Sequence, residues 1–372
     1  MSPSQNVSLL FLLHFLALIV FAQQTAEAKR LAENEISKKN SSISAFFVFG
    51  DSTVDAGNNN YIQTISRSNF PPYGKDLPDH IATGRFTNGK LVTDFLSSYA
   101  GIKDMIPPYL DPTLTVDDLK TGVCFASAGT GFDPLTAQIN VVIPIQNQLK
   151  YFKEYKSRME VEIGKEKTRR LINKALFVIS AGTNDFMVNY YGPMQTRSRT
   201  YNISSYQDFI LHQALELTQA LLKMGSKKIA FVGLPPIGCV PAVITLNSDN
   251  ALTHRACIQR FSDVARRYNT LLQIKLAALQ KQITPSANVL YIDIYNPIDR
   301  MVRNPQQFGF EIVNLGCCGS GMVEFSVLCN SYSSVCSDDS KYLFWDSIHP
   351  TQAAYYSVYL GLRPVIDRFM KD

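Results

Sequence analysis

Residues 45–60 read AFFVFGDSTVDAGNNN, an apolar run that stops at Gly50-Asp51-Ser52. A run this short, rich in Phe and Val and without polar alternation, suits a strand covered on both faces of a parallel sheet. Gly, Asp and Ser then mark a turn, since Gly tolerates positive φ and the short polar side chains bond nearby backbone. Three further runs of the same character follow at 175–180, 228–232 and 289–294. Between them lie helical patterns. Residues 145–159 place Ile145, Leu149, Phe152 and Tyr155 on one stripe, residues 206–224 do so with Phe209, Ala214, Leu217 and Leu221, and 254–282 is the longest. A last helix is expected over 350–369, with Pro350 in its first turn, where a missing N–H costs nothing. Strands alternating with helices predict an open, doubly wound α/β sheet, which binds ligands beyond the carboxyl ends of its strands. The Pro-, Gly- and Asp-rich stretch 61–118 reads as elaborated loops on the same domain.

Polar residues gather where that rule places a site. Gly50-Asp51-Ser52 follows the first run and Ala181-Gly182-Thr183-Asn184-Asp185 the second. Between them, Phe125-Ala126-Ser127-Ala128-Gly129-Thr130-Gly131 is a run of small residues that lets backbone approach a ligand, and Asp346-Ser347-Ile348-His349-Pro350 lies near the end. A serine becomes a nucleophile only with an adjacent base held by a third group. Of the five histidines, His14 lies in the leader, His212 and His254 fall in helical patterns, and His80 sits in a loop without an orienting partner. His349 has Asp346 three residues before it, close enough to accept the Nδ1 proton while Nε2 faces Ser52. Acyl transfer also needs donors for the developing oxyanion, and Ser52 N–H, Gly129 N–H and the Asn184 amide are the candidates. Taken alone, Asp-x-x-His is a common helix start and Gly-Thr-Asn-Asp a common turn; their value is in combination.

The N-terminus carries an uncharged Leu-rich run over 9–22, too short for a typical span, followed by small residues. It reads as a secretory signal peptide covering 1–28, with cleavage after Ala22 as the alternative, leaving a single domain over 29–372. The net charge of +5 comes without a basic tract, so nothing points to nucleic acid, and no later stretch is apolar enough to cross a membrane. Seven cysteines suit an oxidising compartment and leave an odd one. Cys239 with Cys257, and Cys317, Cys318, Cys329 and Cys336 among themselves, form candidate disulfide sets; Cys124, in an apolar stretch, is the candidate buried thiol. A zinc site on the last four is disfavoured by the adjacent pair and by secretion. Asn40 and Asn202 head glycosylation tripeptides.

The Gly-x-Ser-x-Gly elbow of the α/β-hydrolases is absent. Instead Gly50-Asp51-Ser52, Gly129, Gly182-x-Asn184-Asp185 and Asp346-x-x-His349 stand in the order of the four blocks of the GDSL family within the SGNH hydrolases. FVFGDSTVDAGNNN, GRFTNGK (84–90), LPPIGCVP (234–241), GCCG (316–319) and FWDSIHPT (344–351) resemble the plant GDSL esterase/lipases in particular, and CFASAGTGFD resembles their extracellular-lipase branch, associated with pollen coat. The resemblance implies a three-layer α/β/α flavodoxin-like sandwich around a central, mostly parallel five-stranded sheet. It implies a secreted esterase without cofactor or metal, located in cell wall or pollen coat. Ser52 would be nucleophile, His349 base, Asp346 its orienter, and Ser52, Gly129 and Asn184 the oxyanion donors. Many members have Gly where Ala128 stands, which leaves open which small residue supplies the donor. The expected partner is a small-molecule or lipid ester, with transient contact to lipid or cell-wall surfaces. Transfer of the acyl group to an alcohol, as in cutin formation, and a silent lipid- or glycan-binding protein are the alternatives. Phe70, Tyr73, Tyr190 and Tyr191 are read as turn and core packing rather than groove lining.

Overall fold

A computed structural model of the chain describes residues 43–193, 195–283 and 285–371. The signal peptide over 1–28 and Asn40 lie outside the described residues.

The first strand, β1 (Phe46–Gly50), is fully buried. It is followed by helices α1 (Val92–Tyr99), α2 (Val116–Lys120), α3 (Pro134–Asn140), α4 (Ile145–Ile163) and α5 (Lys165–Lys174), then β2 (Leu176–Ser180). Next come α6 (Ile203–Lys223), β3 (Lys228–Val232), α7 (Pro241–Asn247), α8 (Gln259–Gln282) and β4 (Asn288–Ile292). The C-terminal part holds α9 (Tyr295–Arg303), β5 (Ile312–Gly316), β6 (Tyr342–Phe344) and α10 (Gln352–Lys371). The four apolar runs are thus the four strands of one parallel sheet, in order β1-β2-β3-β4.

The sheet has four strands where five are expected, and the reason is visible at the free edge of β1. Residues 121–127 run along it, bonded through Phe46 N–H to Thr121 O, Val48 N–H to Val123 O, Phe125 N–H to Val48 O and Ser127 N–H to Gly50 O. Only Cys124 reaches strand geometry, in isolated parallel bridges to Val48 on one side and Pro108 on the other. The small-residue segment therefore holds the fifth place without the length of a strand. A separate two-stranded parallel pair, β5 with β6, lies at the C-terminal end.

The two faces of the main sheet differ. Phe47, Phe49, Phe177 and Phe231 project from one, where Phe47 meets Phe152 of α4 with ring centroids 5.3 Å apart and Phe231 meets Phe132 at 5.8 Å. On the other, Val48, Val178, Ala230, Val232, Leu290 and Ile292 alternate with them, following the two-residue period of strands. Helices cover both faces, giving the three-layer sandwich. Helix α1 lies in the stretch read as loops. It packs against α10 through Phe95 and Tyr356, 5.2 Å apart, and Tyr99 and Tyr359, 5.9 Å apart.

Three boundaries move. Helix α8 starts at Gln259, leaving His254 in a loop, and α10 starts at Gln352, so Pro350 precedes the helix and instead bridges to Phe344. The helix read over 145–159 runs on to Ile163, where Gly164 ends it.

Candidate active site

Ser52 sits directly beyond β1. Gly50 has φ 144°, and a Cβ there would lie 1.9 Å from Ser180 O, so only glycine lets β1 leave the sheet this close to β2. Asp51 then closes the turn. Its Oδ1 accepts from Thr53 N–H at 3.0 Å and Thr53 Oγ1 at 2.7 Å, which leaves Ser52 at the crest. Burial pushes the Asp51 carboxyl up to about 6, against the bonds from Thr53 and the attraction of His349.

His349 and Asp346 form a buried pair on the loop after β6. The imidazole Nδ1 lies 2.7 Å from Asp346 Oδ2 and 2.9 Å from Oδ1, leaving Nε2 for the cleft. The carboxylate is held from three more directions: Ile348 N–H and His349 N–H donate to Oδ1 at 2.8 and 2.7 Å, and the Tyr73 hydroxyl donates to Oδ2 at 2.7 Å. Burial and that carboxylate push the Tyr73 phenol well above its ordinary range. Phe86 covers the imidazole, 4.9 Å between ring centres. The loop is fixed by β5 and its continuation, where Cys317 N–H bonds Phe344 O at 3.0 Å and Cys318 N–H bonds Trp345 O at 2.8 Å. Disulfides Cys317–Cys336 and Cys318–Cys329 tie that continuation down, and Cys239–Cys257 is the third bridge. Cys124 is the buried free thiol, 3.1 Å from Val54 O.

Ser52, Gly129, Asn184 and His349 line one cleft of about 90 Å³, together with Phe86, Ala128, Met187 and Phe325. The ambiguity between Ala128 and Gly129 has a structural answer. Ala128 N–H is taken by Asp55 Oδ2 at 2.8 Å, whereas among the described residues no protein acceptor takes the N–H of Gly129 or of Ser52. Gly129 has φ 87°, a left-handed conformation that favours glycine, and its carbonyl is held by Asn140 Nδ2 at 2.6 Å. Asn184 spends one amide proton on Thr130 O at 2.9 Å, which fixes the plane of the amide and leaves the second proton.

The positioning residues were not anticipated. Asn58 Nδ2 donates to Cys124 O and Ala126 O, both at 2.8 Å, and Asn59 Nδ2 donates to Ala128 O at 3.0 Å. The segment DAGNNN thus sets the height of the backbone that carries Gly129. Asp185 does the same from the other side, accepting Phe132 N–H at 2.8 Å, Asp133 N–H at 3.1 Å and Thr136 Oγ1 at 2.6 Å. Burial raises its carboxyl to about 7. In GRFTNGK, Arg85 forks onto both oxygens of Asp94 at 2.8 and 2.9 Å, and Thr87 Oγ1 donates to Pro350 O at 2.9 Å. In the sequence these Asp and Asn residues look like those of ordinary turns, and what marks them is burial, where a polar group is kept only if hydrogen-bonded.

The remaining histidines are elsewhere. His212 is exposed on α6 beside Glu216 at 3.3 Å, His80 bonds Lys75 O in an exposed turn, and His254 neighbours Thr253. Asn202 caps α6, its Oδ1 accepting from Ser205 N–H at 2.9 Å, and is exposed. Tyr73 and Tyr190 are buried, Tyr191 is half-buried and packs on Phe261, and none of them lines the cleft.

The sequence profile of the GDSL-like lipase/acylhydrolase family matches residues 46–359. The chain belongs to that family. Three Arabidopsis thaliana proteins, each named GDSL esterase/lipase, are similar to it over nearly their whole length: 51%, 43% and 45% identical across 90%, 86% and 84% of this chain and 89%, 88% and 87% of their own. The family match begins at the first residue of β1 and ends within α10, so it takes in the whole sheet and every block that lines the cleft. Among the described residues no helix is long and apolar enough to cross a membrane.

Proposed function

We propose that the chain is a secreted carboxylic ester hydrolase that works through an acyl-enzyme on Ser52. The observation that carries this reading is the shared cleft of Ser52, Gly129, Asn184 and His349, with Asp346 bonded behind His349. In it, His349 Nε2 takes the Ser52 proton as Oγ attacks the ester carbonyl. Asp346 holds the tautomer and balances the imidazolium. The carbonyl oxygen, now an alkoxide, meets the N–H groups of Ser52 and Gly129 and the second amide proton of Asn184, donors already fixed before reaction. His349 returns the proton to the leaving alcohol, and water repeats the sequence to release the acid. Three disulfides support an oxidising destination outside the cytosol. The names of the Arabidopsis relatives support an ester substrate.

The test is Ser52→Ala. The wild type should hydrolyse p-nitrophenyl butyrate and be labelled at Ser52 by a fluorophosphonate, and the variant should do neither while unfolding at an unchanged temperature. A folded Ser52→Ala protein with wild-type turnover refutes the reading.

A further inference from the structure

We propose that the fold contains a tunnel for the linear acyl chain of the substrate, running from Ser52 between the main sheet and α10. The inference rests on the hydrolase reading for the reacting ester group, but its walls are a separate observation. The aliphatic face of the sheet does not meet its helices in full. It leaves a narrow cavity of about 90 Å³ against α1, α9 and α10. Protein interiors are packed with few voids larger than water, and an unfilled apolar void weakens the fold, so an elongated one that opens at a nucleophile points to an occupant.

The walls say what that occupant is. Polar groups gather at the mouth, around Asp51, Ser52, Asn184 and His349, and the helices add only Thr93 of α1 and Tyr355 of α10. Deeper, the sheet contributes Val178, Ala230 and Ile292, with Ala230 the small residue at the centre of the sheet face. Opposite them, Ala354, Val358, Leu362 and Ile366 recur at every fourth residue, so they form one stripe of α10. At the rise of an α-helix that stripe is ~18 Å long. A zigzag of ~1.5 Å single bonds advances about 1.25 Å per carbon, which fits a chain of about 14 carbons. No charged side chain lines the space beyond the mouth, so the site offers nothing to a sugar or a second headgroup and favours an unbranched hydrocarbon. The carbonyl of such a chain would be left beside Ser52, with the alcohol toward the cleft formed by Met187 and Phe325.

Depth-graded blocking tests this. Val358→Phe fills the tunnel about one turn in from Ala354, and Ile366→Phe fills it about three turns in. Measured on p-nitrophenyl esters from acetate to palmitate, the wild type should keep kcat/KM through dodecanoate and lose it at palmitate. Val358→Phe should lower the dodecanoate-to-butyrate ratio at least tenfold, and Ile366→Phe should lower the tetradecanoate-to-octanoate ratio by a similar factor. Dodecanoate titrated calorimetrically should bind the wild type and bind Val358→Phe at least tenfold more weakly. A wild-type profile that falls steadily from acetate, or ratios unchanged in both variants, overturns the tunnel while leaving the hydrolase intact. Dodecanoate binding that Val358→Phe abolishes, in a protein without esterase activity or fluorophosphonate labelling, would support the tunnel and refute the hydrolase reading instead.

Discussion

Tyr73→Phe separates the positioning of Asp346 from the packing around it. Tyr73 is 1% exposed, with its ring edge-on to Phe70, Phe86 and Trp345 at 5.9, 5.8 and 6.4 Å, and Phe keeps all three contacts. What goes is one hydroxyl, which donates to Asp346 Oδ2 at 2.7 Å and accepts from Ser326 N–H at 2.8 Å. A hydrogen bond to a charged group contributes about 1.5–3 kcal/mol, and the stranded Ser326 N–H adds a desolvation cost of similar size, so stability should fall by about 3–6 kcal/mol. The kinetic effect has a different signature. A carboxylate stripped of one donor attracts the imidazolium more strongly, so activity should fall off at higher pH on the acid side. If about 1.4 kcal/mol of the lost bond reappears in that pair, the acid limb of kcat/KM moves up by about one pH unit. Hydrolysis of p-nitrophenyl butyrate from pH 5 to 9 measures the limb, and thermal unfolding at the same pH values measures stability. A destabilised protein with an unmoved acid limb would show that Tyr73 is packing only, and would refute the argument.

Three further outcomes are expected. Burial raises Asp51 and Asp55 to about 6 and Asp185 to about 7 from 3.8, so between pH 4 and 7 the folded state binds protons that the unfolded chain releases. Stability contributed by these groups is therefore full below about pH 4 and lost as pH rises through 6 to 7, and the unfolding temperature should be higher at pH 5 than at pH 8; a rise across that interval contradicts it. Asn184→Ala should lower kcat by about 10² or more, as expected for one missing oxyanion donor, with a smaller change in KM; equal loss in both would assign Asn184 to ground-state binding. Reducing Cys317–Cys336 and Cys318–Cys329, which close loops of 19 and 11 residues, should cost about 3 kcal/mol each by chain entropy and should lower activity too, because both anchor the strand that bonds Phe344 and Trp345. Unchanged turnover in a reduced but folded protein would show that the loop of His349 holds without them.

β1 and β2 were legible because they are buried along their whole length and read as unbroken apolar runs, and β3 and β4, partly exposed, still carry apolar residues after their first position. The fifth position was not, for a definite reason. Residues 121–127 pair with β1 on one side, meet only the loop at 107–109 on the other through Cys124, and must bring Gly129 to the cleft, so small residues stand where β-branched ones would have announced a strand. Helix α1 was missed because it is eight residues long and begins at Val92 without a polar side-chain cap. Its start is closed from within the first turn, Asp94 accepting Leu91 N–H at 2.9 Å, and that carboxylate is held in place by Arg85.

The candidate site divides in the same way. Ser52, Asn184, Asp346 and His349 could be proposed from sequence because a site is expected beyond the strand ends and the chemistry proposed for it restricts the residue types. Asp55, Asn58, Asn59, Tyr73 and Asp185 could not, since they act on backbone or on another side chain, and Asp and Asn in turns are ordinary. Their burial is the physical mark. Asp55, Asn58, Asn59 and Asp185 are at most 1% exposed, where an unpaired amide or carboxylate would be costly, so each must be answered by partners. Each of the four finds at least one of those partners in the backbone of residues 124–133. The family blocks around Ser52 and Asn184 are therefore longer than their reacting residues because each also carries the supports for the oxyanion segment between them. A substitution in those supports should displace Gly129 before it unfolds the sheet, which places the sensitivity of the site in residues that touch no substrate.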